Sequence, residues 1–229
     1  MTNTTTITAE QSPELMNKLA QQAMSEQEAT VLATKPEVQL PPSPEVELPG
    51  GLLDPILGTI STAEVRELNG ADEEAIAKVN NVGKSLLLIL ERATTKIGEE
   101  PASKDLLDAL YAGDREMLML AIRKITFGTD VKVGPGQCPS CGTEQVFDLD
   151  LDKDVPIKKL EGDRQFTVKC NVGEVSVVFP TGSTQKEMVA SNDKTSAELD
   201  TILLKNCVKA VNGVPVLNTE TVRSLGLKD

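Results

Sequence analysis

The chain has 229 residues, 39% of them hydrophobic, and its 35 Asp and Glu exceed its 23 Lys and Arg, which gives a net charge of −12. This charge would repel a phosphate backbone, and four Phe, one Tyr and no Trp leave few rings on which bases could stack, so we expect no nucleic-acid partner. The complete absence of His removes the commonest general base and the usual catalytic triads, so we do not expect an enzyme.

Residues 1–50 are predicted to form an N-terminal arm. Its start lacks the basic and apolar parts of a signal peptide, and no apolar run in the chain is long enough for a membrane span, so we expect neither secretion nor a membrane partner. A short helix is predicted over residues 12–34, where Leu15, Leu19 and Ala23 recur every four residues. The Pro-rich stretch KPEVQLPPSPEVELPGG that follows is typical of extended, solvated chain. Two interpretations stay open: a flexible arm, or an arm that folds on a partner.

Residues 51–133 are predicted to form a mainly helical subdomain that opens with the short strand ISTAEVREL. Asn69 is a good N-cap, Gly70 follows it, and three acidic residues crowd the first helical turn, where the helix dipole favours negative charge. Apolar residues then recur at three- and four-residue steps from Ile76 to Leu90. This pattern predicts one amphipathic helix.

A second, Leu- and Met-rich helix is predicted before residue 128. Gly113 is expected to end the helix that precedes it, and Asp114 is expected to cap the new one. Arg115 and Arg123 are expected to lie on a solvated face or to pair with nearby carboxylates.

Residues 134–229 change from helical to alternating periodicity. VFDLDLD and FTVKCNVGEVSVVFP read as strands, the second as a hairpin that turns at residues 171–174, and helices follow from TGSTQKEM onward. Residues 64–76 and 176–188 are interpreted as sharing one order of features: a short strand, a polar residue with Gly, and a charged first helical turn. We interpret this as a degenerate strand-to-helix repeat, in which Thr181 and Gly182 correspond to Asn69 and Gly70.

The motif Cys-Pro-Ser-Cys-Gly at residues 138–142 has the spacing of a zinc knuckle. A tetrahedral zinc site needs two more ligands, and Cys170 on the predicted hairpin is the preferred third ligand beside Cys138 and Cys141. Cys207 fits a core position in the last long helix better than a ligand position. The competing interpretation is a turn that keeps the knuckle shape without metal.

Aspartates at positions 148, 150, 152 and 154 alternate with other residues after the knuckle. In a strand they would line one face, and solvation of that face is the preferred interpretation. An acidic site for a divalent cation, and with it a metal-dependent enzyme, is the less favoured alternative.

The fold class predicted from these patterns is α+β, with helical segments around small antiparallel β-hairpins, a CPxCG knuckle and an extended N-terminal arm. Several of the motifs, taken in order, resemble the baseplate hub proteins of T-even-like tailed bacteriophages over about residues 48–210. The resemblance rests on Leu48-Pro49-Gly50, on Val65-Arg66-Glu67-Leu68-Asn69-Gly70, on Gly113-Asp114-Arg115 leading through Arg123 to Gly128, on the Cys-Pro-Ser-Cys-Gly motif with its Asp-Leu-Asp-Leu strand, and on Pro180-Thr181-Gly182.

This resemblance implies a structural subunit or assembly factor of the baseplate hub, whose partners would be other tail or baseplate proteins and which would work within an oligomeric assembly. It brings no catalytic residues. The implied location is the host cytoplasm during assembly and the tail baseplate of the virion. A zinc-knuckle adaptor of transcription or replication is the alternative function.

Overall fold

The computed structural model describes residues 43–56 and 58–226, together with positions 17, 18, 21, 22 and 24. Contacts divide the chain into a unit from Met1 to Pro41 and a unit from Pro42 to Asp229. In the first unit, the five described positions are helical and fall inside the predicted helix at residues 12–34. The rest of that predicted helix lies outside the described residues.

The second unit mixes helices with three antiparallel sheets, which confirms the predicted α+β class. Its first half contains β1 (Glu45–Asp54), β2 (Gly58–Val65), α1 (Gly70–Ala77), α2 (Val82–Ala93), β3 (Thr94–Ile97), β4 (Glu100–Pro101), α3 (Lys104–Ala109) and α4 (Ala112–Phe127). Its second half contains β5 (Asp130–Gln137), β6 (Glu144–Asp150), β7 (Gln165–Cys170), β8 (Gly173–Val178), α5 (Gly182–Ala190), α6 (Ser196–Cys207), β9 (Val208–Val211), β10 (Val214–Pro215) and α7 (Thr219–Arg223).

Strand β1 begins inside the segment that was predicted to be a solvated linker. Val46 and Leu48 are buried, and Val46 lies directly opposite Ala63 of β2. Strand β1 is an edge strand, and Pro49 lies where its pairing with β2 is interrupted, between Glu47 and Leu52, which is where a sheet tolerates proline. The predicted boundary at residue 50 therefore falls within a core strand, and the boundary at residues 133 and 134 falls within β5.

The single amphipathic helix predicted through Leu90 is two helices. Asn69 caps α1 as predicted, since its side chain accepts hydrogen bonds from the amides of Ala71 and Asp72. The chain then leaves the helix after Ala77, and Asn81 starts α2 by accepting from the amide of Lys84 at 2.9 Å. Asn81 is a second strong N-cap, and it starts a new helix although the apolar periodicity continues through this region.

The same order of elements occurs twice. The first repeat runs β1-β2-α1-α2-β3-β4-α3 and the second runs β7-β8-α5-α6-β9-β10-α7, with sheet orders β1-β2-β3-β4 and β7-β8-β9-β10. The pairing register shifts between Glu64 and Val65 in the first repeat and between Ser176 and Val177 in the second. The predicted strand-to-helix repeat is thus confirmed and is one part of a longer duplication, with α4 and the β5–β6 hairpin between the two copies.

The main hydrophobic core lies between the first repeat and α4. It joins the inner face of the first sheet to α2, α3 and α4, and Leu118 and Ile122 of α4 are almost fully buried in it. The buried core residues are Val46, Leu48, Ala63, Val65, Leu90, Ala93, Ile97, Leu107, Leu110, Leu118 and Ile122. The Leu-rich helix α4 is therefore the central packing element of this core.

Candidate functional site

Arg66 belongs to an ion cluster at the start of α1. Both oxygens of the fully buried Asp72 carboxylate accept hydrogen bonds from Arg66, at 2.6 and 3.0 Å, and Arg92 Nε donates to one of them at 2.6 Å. The amide of Asn69 donates to Asp72 as well, at 3.0 Å, which closes a capping box. Hydrogen bonding by the Arg66 guanidinium, above all, lowers the pKa of the Asp72 carboxyl. The sequence identified Asp72 only as one of three acidic residues in the first helical turn. Its pairing with two arginines is seen only in the structure.

Helix α4 starts at Ala112, after the N-cap Tyr111, so Gly113 and Asp114 lie inside its first turn. The predictions that Gly113 ends a helix and that Asp114 is an N-cap are therefore wrong. The buried carboxylate of Asp114 instead accepts from the backbone amides of Gly50 at 2.6 Å and Gly51 at 3.4 Å, and so holds β1 to α4. Burial raises the pKa of this carboxyl.

Arg115 was expected on a solvated face, but it is only 3% exposed. Its guanidinium donates to the carbonyl of Leu107 at 2.6 Å and to Oε1 of Gln185 at 2.7 Å. Burial lowers the pKa of Arg115, which is held by neutral acceptors from α3 and α5. Its hydrogen bonds therefore join the two repeats.

Thr181 and Gly182 meet the start of α4 at the same junction. The amide of Ala112 donates to the carbonyl of Pro180 at 2.9 Å, and the amide of Gly182 donates to the carbonyl of Leu110 at 2.8 Å. A Cβ at Gly182 would lie 2.5 Å from the Leu107 carbonyl oxygen and 2.6 Å from Arg115 Nη1. The motifs at residues 113–115 and 180–182 are thus neighbours in space, which their sequence separation does not reveal.

Arg123 and Gly128 form the other end of α4. Gly128 takes a positive φ of 85° as the C-cap, and Arg123 Nη1 donates to its carbonyl at 2.9 Å. The Arg123 guanidinium also lies 5.0 Å from the centre of the Phe127 ring. Its partners are the carbonyls of Gly128 and Asp130 and the Phe127 ring, and no carboxylate pairs with it among the described residues.

Residues 138–142 form the turn between β5 and β6. The Cys138 amide donates to the Thr143 carbonyl at 3.0 Å, and the Gly142 amide donates to the Cys138 carbonyl at 2.8 Å. Sγ of Cys141 lies 3.3 Å from the Thr143 hydroxyl, which lowers the pKa of the Cys141 thiol because it stabilises the thiolate.

The structure does not bring Cys170 to this turn as a third ligand. Across residues 43–56 and 58–226, and at the five described N-terminal positions, no three Cys, Asp or Glu side chains are grouped so that they could hold a metal ion. Cys170 ends β7, and Cys207 ends α6, where burial raises its pKa.

The four aspartates after the knuckle do not share one strand face, because β6 ends at Asp150 and a turn follows. Asp150 accepts from Lys153 at 2.5 Å, Asp152 accepts from Lys124 at 2.7 Å, and Asp154 accepts from the amide of Asp150 at 2.8 Å. These carboxylates are engaged by lysines and backbone amides. They stabilise the turn and the end of α4.

The β5–β6 hairpin has one apolar face, on which Val131 lies opposite Leu149 and Val133 lies opposite Phe147. Val133 is 45% exposed and Phe147 is 54% exposed. A two-stranded ribbon is marginally stable on its own, and an exposed apolar face is typical of a surface that another molecule covers. The hairpin is therefore the candidate contact surface, and the sequence signalled it only through the alternation in VFDLDLD.

No helix in the described part of the chain is both long and apolar enough to cross a membrane.

Residues 59–224 match the model of a family described as T4 bacteriophage base plate protein. The matched range runs from β2 to α7. It contains the β2-to-α1 and β8-to-α5 junctions, called the two corners below, together with α4 and the exposed hairpin. The chain has no match among curated proteins or among solved structures.

Proposed function

Because the chain belongs to the T4 bacteriophage base plate protein family, we propose that it is a structural subunit of the baseplate hub that acts through protein–protein contacts. The family match carries this proposal, since it extends over most of the chain. The motif residues support it in a second way: Arg66, Asp114, Arg115 and Gly182 are engaged in holding the fold together.

The contact surface of this subunit is the apolar face of the β5–β6 hairpin. Val133, Phe147 and Leu149 expose between 37% and 54% of their surface, which is unusual for paired apolar residues on one strand face. A neighbouring baseplate protein that covered this face would bury it and stabilise the ribbon. The residues on the opposite face, Lys132 and Asp148, would stay in solvent.

The remaining parts of the proposal follow from the same family and from composition. The partners are other tail or baseplate proteins, the chain is made and assembled in the host cytoplasm, and it is retained in the tail. With a net charge of −12 it is predicted not to bind nucleic acid. No comparison supports the alternative of a zinc-knuckle adaptor in transcription or replication, and salt-dependent DNA binding by the purified protein would revive it.

The test is complementation of a phage that lacks this gene with wild-type and variant copies, followed by gradient separation of tail intermediates and mass spectrometry of purified virions. We expect the wild-type chain in mature tails, and we expect Phe147→Ser to reduce tail assembly while Asp148→Ser on the opposite face does not. Assembled tails without the chain in the virion would show an assembly factor instead. Normal tail assembly without the gene would overturn the proposal altogether.

A further inference from the structure

We propose that Cys138 and Cys141 are half of a zinc site, and that the same two cysteines of a second copy of this chain complete it. The inference is independent of the proposed function, because it rests on the geometry of the hairpin alone. It assigns zinc a bridging role between copies in place of the internal three-cysteine site that the sequence favoured.

The two thiols are already arranged as a pair. The turn at residues 138–142 is closed by the Cys138 amide and the Gly142 amide, so both cysteines lie in the same short turn. Gly142 has a positive φ of 69°, which lets the chain reverse immediately after the second cysteine. Two thiolates held on one side of a short turn are the unit from which tetrahedral zinc–sulfur sites are built.

The described part of the chain does not supply the other two ligands. The chain has no His and only two further thiols, and these lie at the ends of β7 and α6. No group of three metal-binding side chains occurs among the described residues. A structural zinc ion takes four protein ligands, so a complete site here needs two ligands beyond those that the described residues supply.

The hairpin tip favours a second copy of this chain as the source of the other two ligands. Residues 133–143, VGPGQCPSCGT, contain no charged side chain, although the whole chain carries a net charge of −12. Two copies can therefore approach through their tips with the least mutual repulsion. A two-fold axis through the metal would place four equivalent thiolates around it, and two-fold contacts are the commonest between identical chains.

Zinc binding would be linked to proton release, because both thiols of each copy must lose a proton before they coordinate the ion.

The experiment uses the full-length protein, reduced with a phosphine and stripped of metal, then titrated with zinc chloride. Native mass spectrometry and light scattering would follow stoichiometry and mass. We expect one zinc per two chains, formation of a dimer as zinc is added, and return to monomer with a chelator. Cobalt in place of zinc should give the intense thiolate-to-metal absorption of a tetrahedral four-sulfur site. One zinc bound per monomer, no binding, or a dimer indifferent to metal would overturn the inference.

Variants separate the ligands from the surrounding fold. Cys141→Ser should weaken zinc binding at least tenfold and abolish the zinc-dependent dimer, with an unchanged circular dichroism spectrum. Cys170→Ser is the matched control and should leave both intact. Ser140→Asp keeps both ligands but adds a charge to the tip, and it should weaken the dimer more than any single change outside the tip. If Cys170→Ser abolished binding, the site would be internal to the chain and the inference would be wrong.

Discussion

The guanidinium of Arg115 fills the space that a side chain at Gly182 would need. A Cβ at position 182 would meet Arg115 Nη1 at 2.6 Å and the carbonyl oxygen of Leu107 at 2.5 Å. The same Arg115 nitrogen donates to that carbonyl at 2.6 Å. The absence of one side chain in the second repeat thus makes room for a buried cation that ties α3 to α5.

Gly182→Ala should destabilise the protein by about 1–3 kcal/mol, because the backbone of α3 has to move or Arg115 has to leave its acceptors. Chemical denaturation at neutral pH would measure the change. Gly70 provides the matched control, since it holds the equivalent first position of α1 and a Cβ added there would have nothing within 4 Å. Gly70→Ala should be neutral or stabilising by up to about 1 kcal/mol. Equal effects at the two glycines would contradict this account of the junction.

Asp72→Asn should destabilise the protein by about 2–3 kcal/mol, because it removes the charge that Arg66 and Arg92 share. Urea unfolding at pH 7 would measure the loss. Glu73→Gln, an exposed change in the same helical turn, should alter stability by less than about 0.5 kcal/mol. A comparable loss at Glu73 would point to the helix dipole and away from the ion cluster.

The contribution of Asp72 should also depend on pH in a defined direction. Its folded pKa is depressed, so its stabilisation is fully present above the unfolded value of about 3.9 and is lost as the pH falls below it. The difference in unfolding free energy between wild type and Asp72→Asn should therefore shrink below about pH 4. A difference that stayed constant down to about pH 2.5 would show that the carboxylate charge is not the source of the stability.

Asp114 should behave in the opposite way. Burial raises its pKa in the folded state, so its ionised form opposes folding, and stability should rise as the pH falls toward the unfolded pKa of about 3.9. Asp114→Asn keeps an oxygen that accepts from the Gly50 amide and removes the buried charge. At pH 7, Asp114→Asn should lower the free energy of unfolding by less than Asp72→Asn does. The variant should also no longer gain the stability that wild type gains from Asp114 as the pH falls. A larger loss for Asp114→Asn than for Asp72→Asn would refute the assignment.

Asn81→Ala should destabilise the protein by about 1 kcal/mol, because the amide of Lys84 at the start of α2 loses its acceptor. Thermal unfolding would record a lower Tm. Asn80→Ala, at the exposed position just before it, is the control and should leave the Tm within about a degree of wild type. Equal shifts for the two variants would mean that α2 does not depend on its cap.

The sequence predicted those features of the fold that depend on residues close together in the chain. Asn69 with its acidic first turn, the hairpin of β7 and β8, and the strand-to-helix repeat all depend on residues within a few positions of one another. The split between α1 and α2 was missed because apolar periodicity continues through it, and only the second Asn cap marks the break. The alternation of Val46 and Leu48 was present in the sequence, but the prolines around it indicated a linker.

The buried junction could not be predicted in the same way. The surroundings of Arg115 come from α3 and α5, and its partner Gln185 lies 70 residues away. A charged residue in a helix is usually solvated. The local sequence around Arg115 does not show that its hydrogen-bond acceptors are neutral groups from elements distant in the chain. The zinc ligands stay a prediction. Cys138 and Cys141 lie in one local turn, and the described residues group no third ligand with them, since the position of Cys170 depends on the packing of separate sheets.

The length of helix α4 determines how far the second repeat is rotated about the helix axis relative to the first. At its N-terminal end the amide of Ala112 donates to the carbonyl of Pro180, just before α5 of the second repeat. Near its C-terminal end the hydroxyl of Thr126 accepts from the amide of Leu68, just before α1 of the first repeat. The helix is roughly 24 Å long and turns about 100° per residue. Adding or deleting one residue along it would swing one corner by that angle around the helix axis, so the length of α4 is fixed by geometry as strictly as its core residues are fixed by packing.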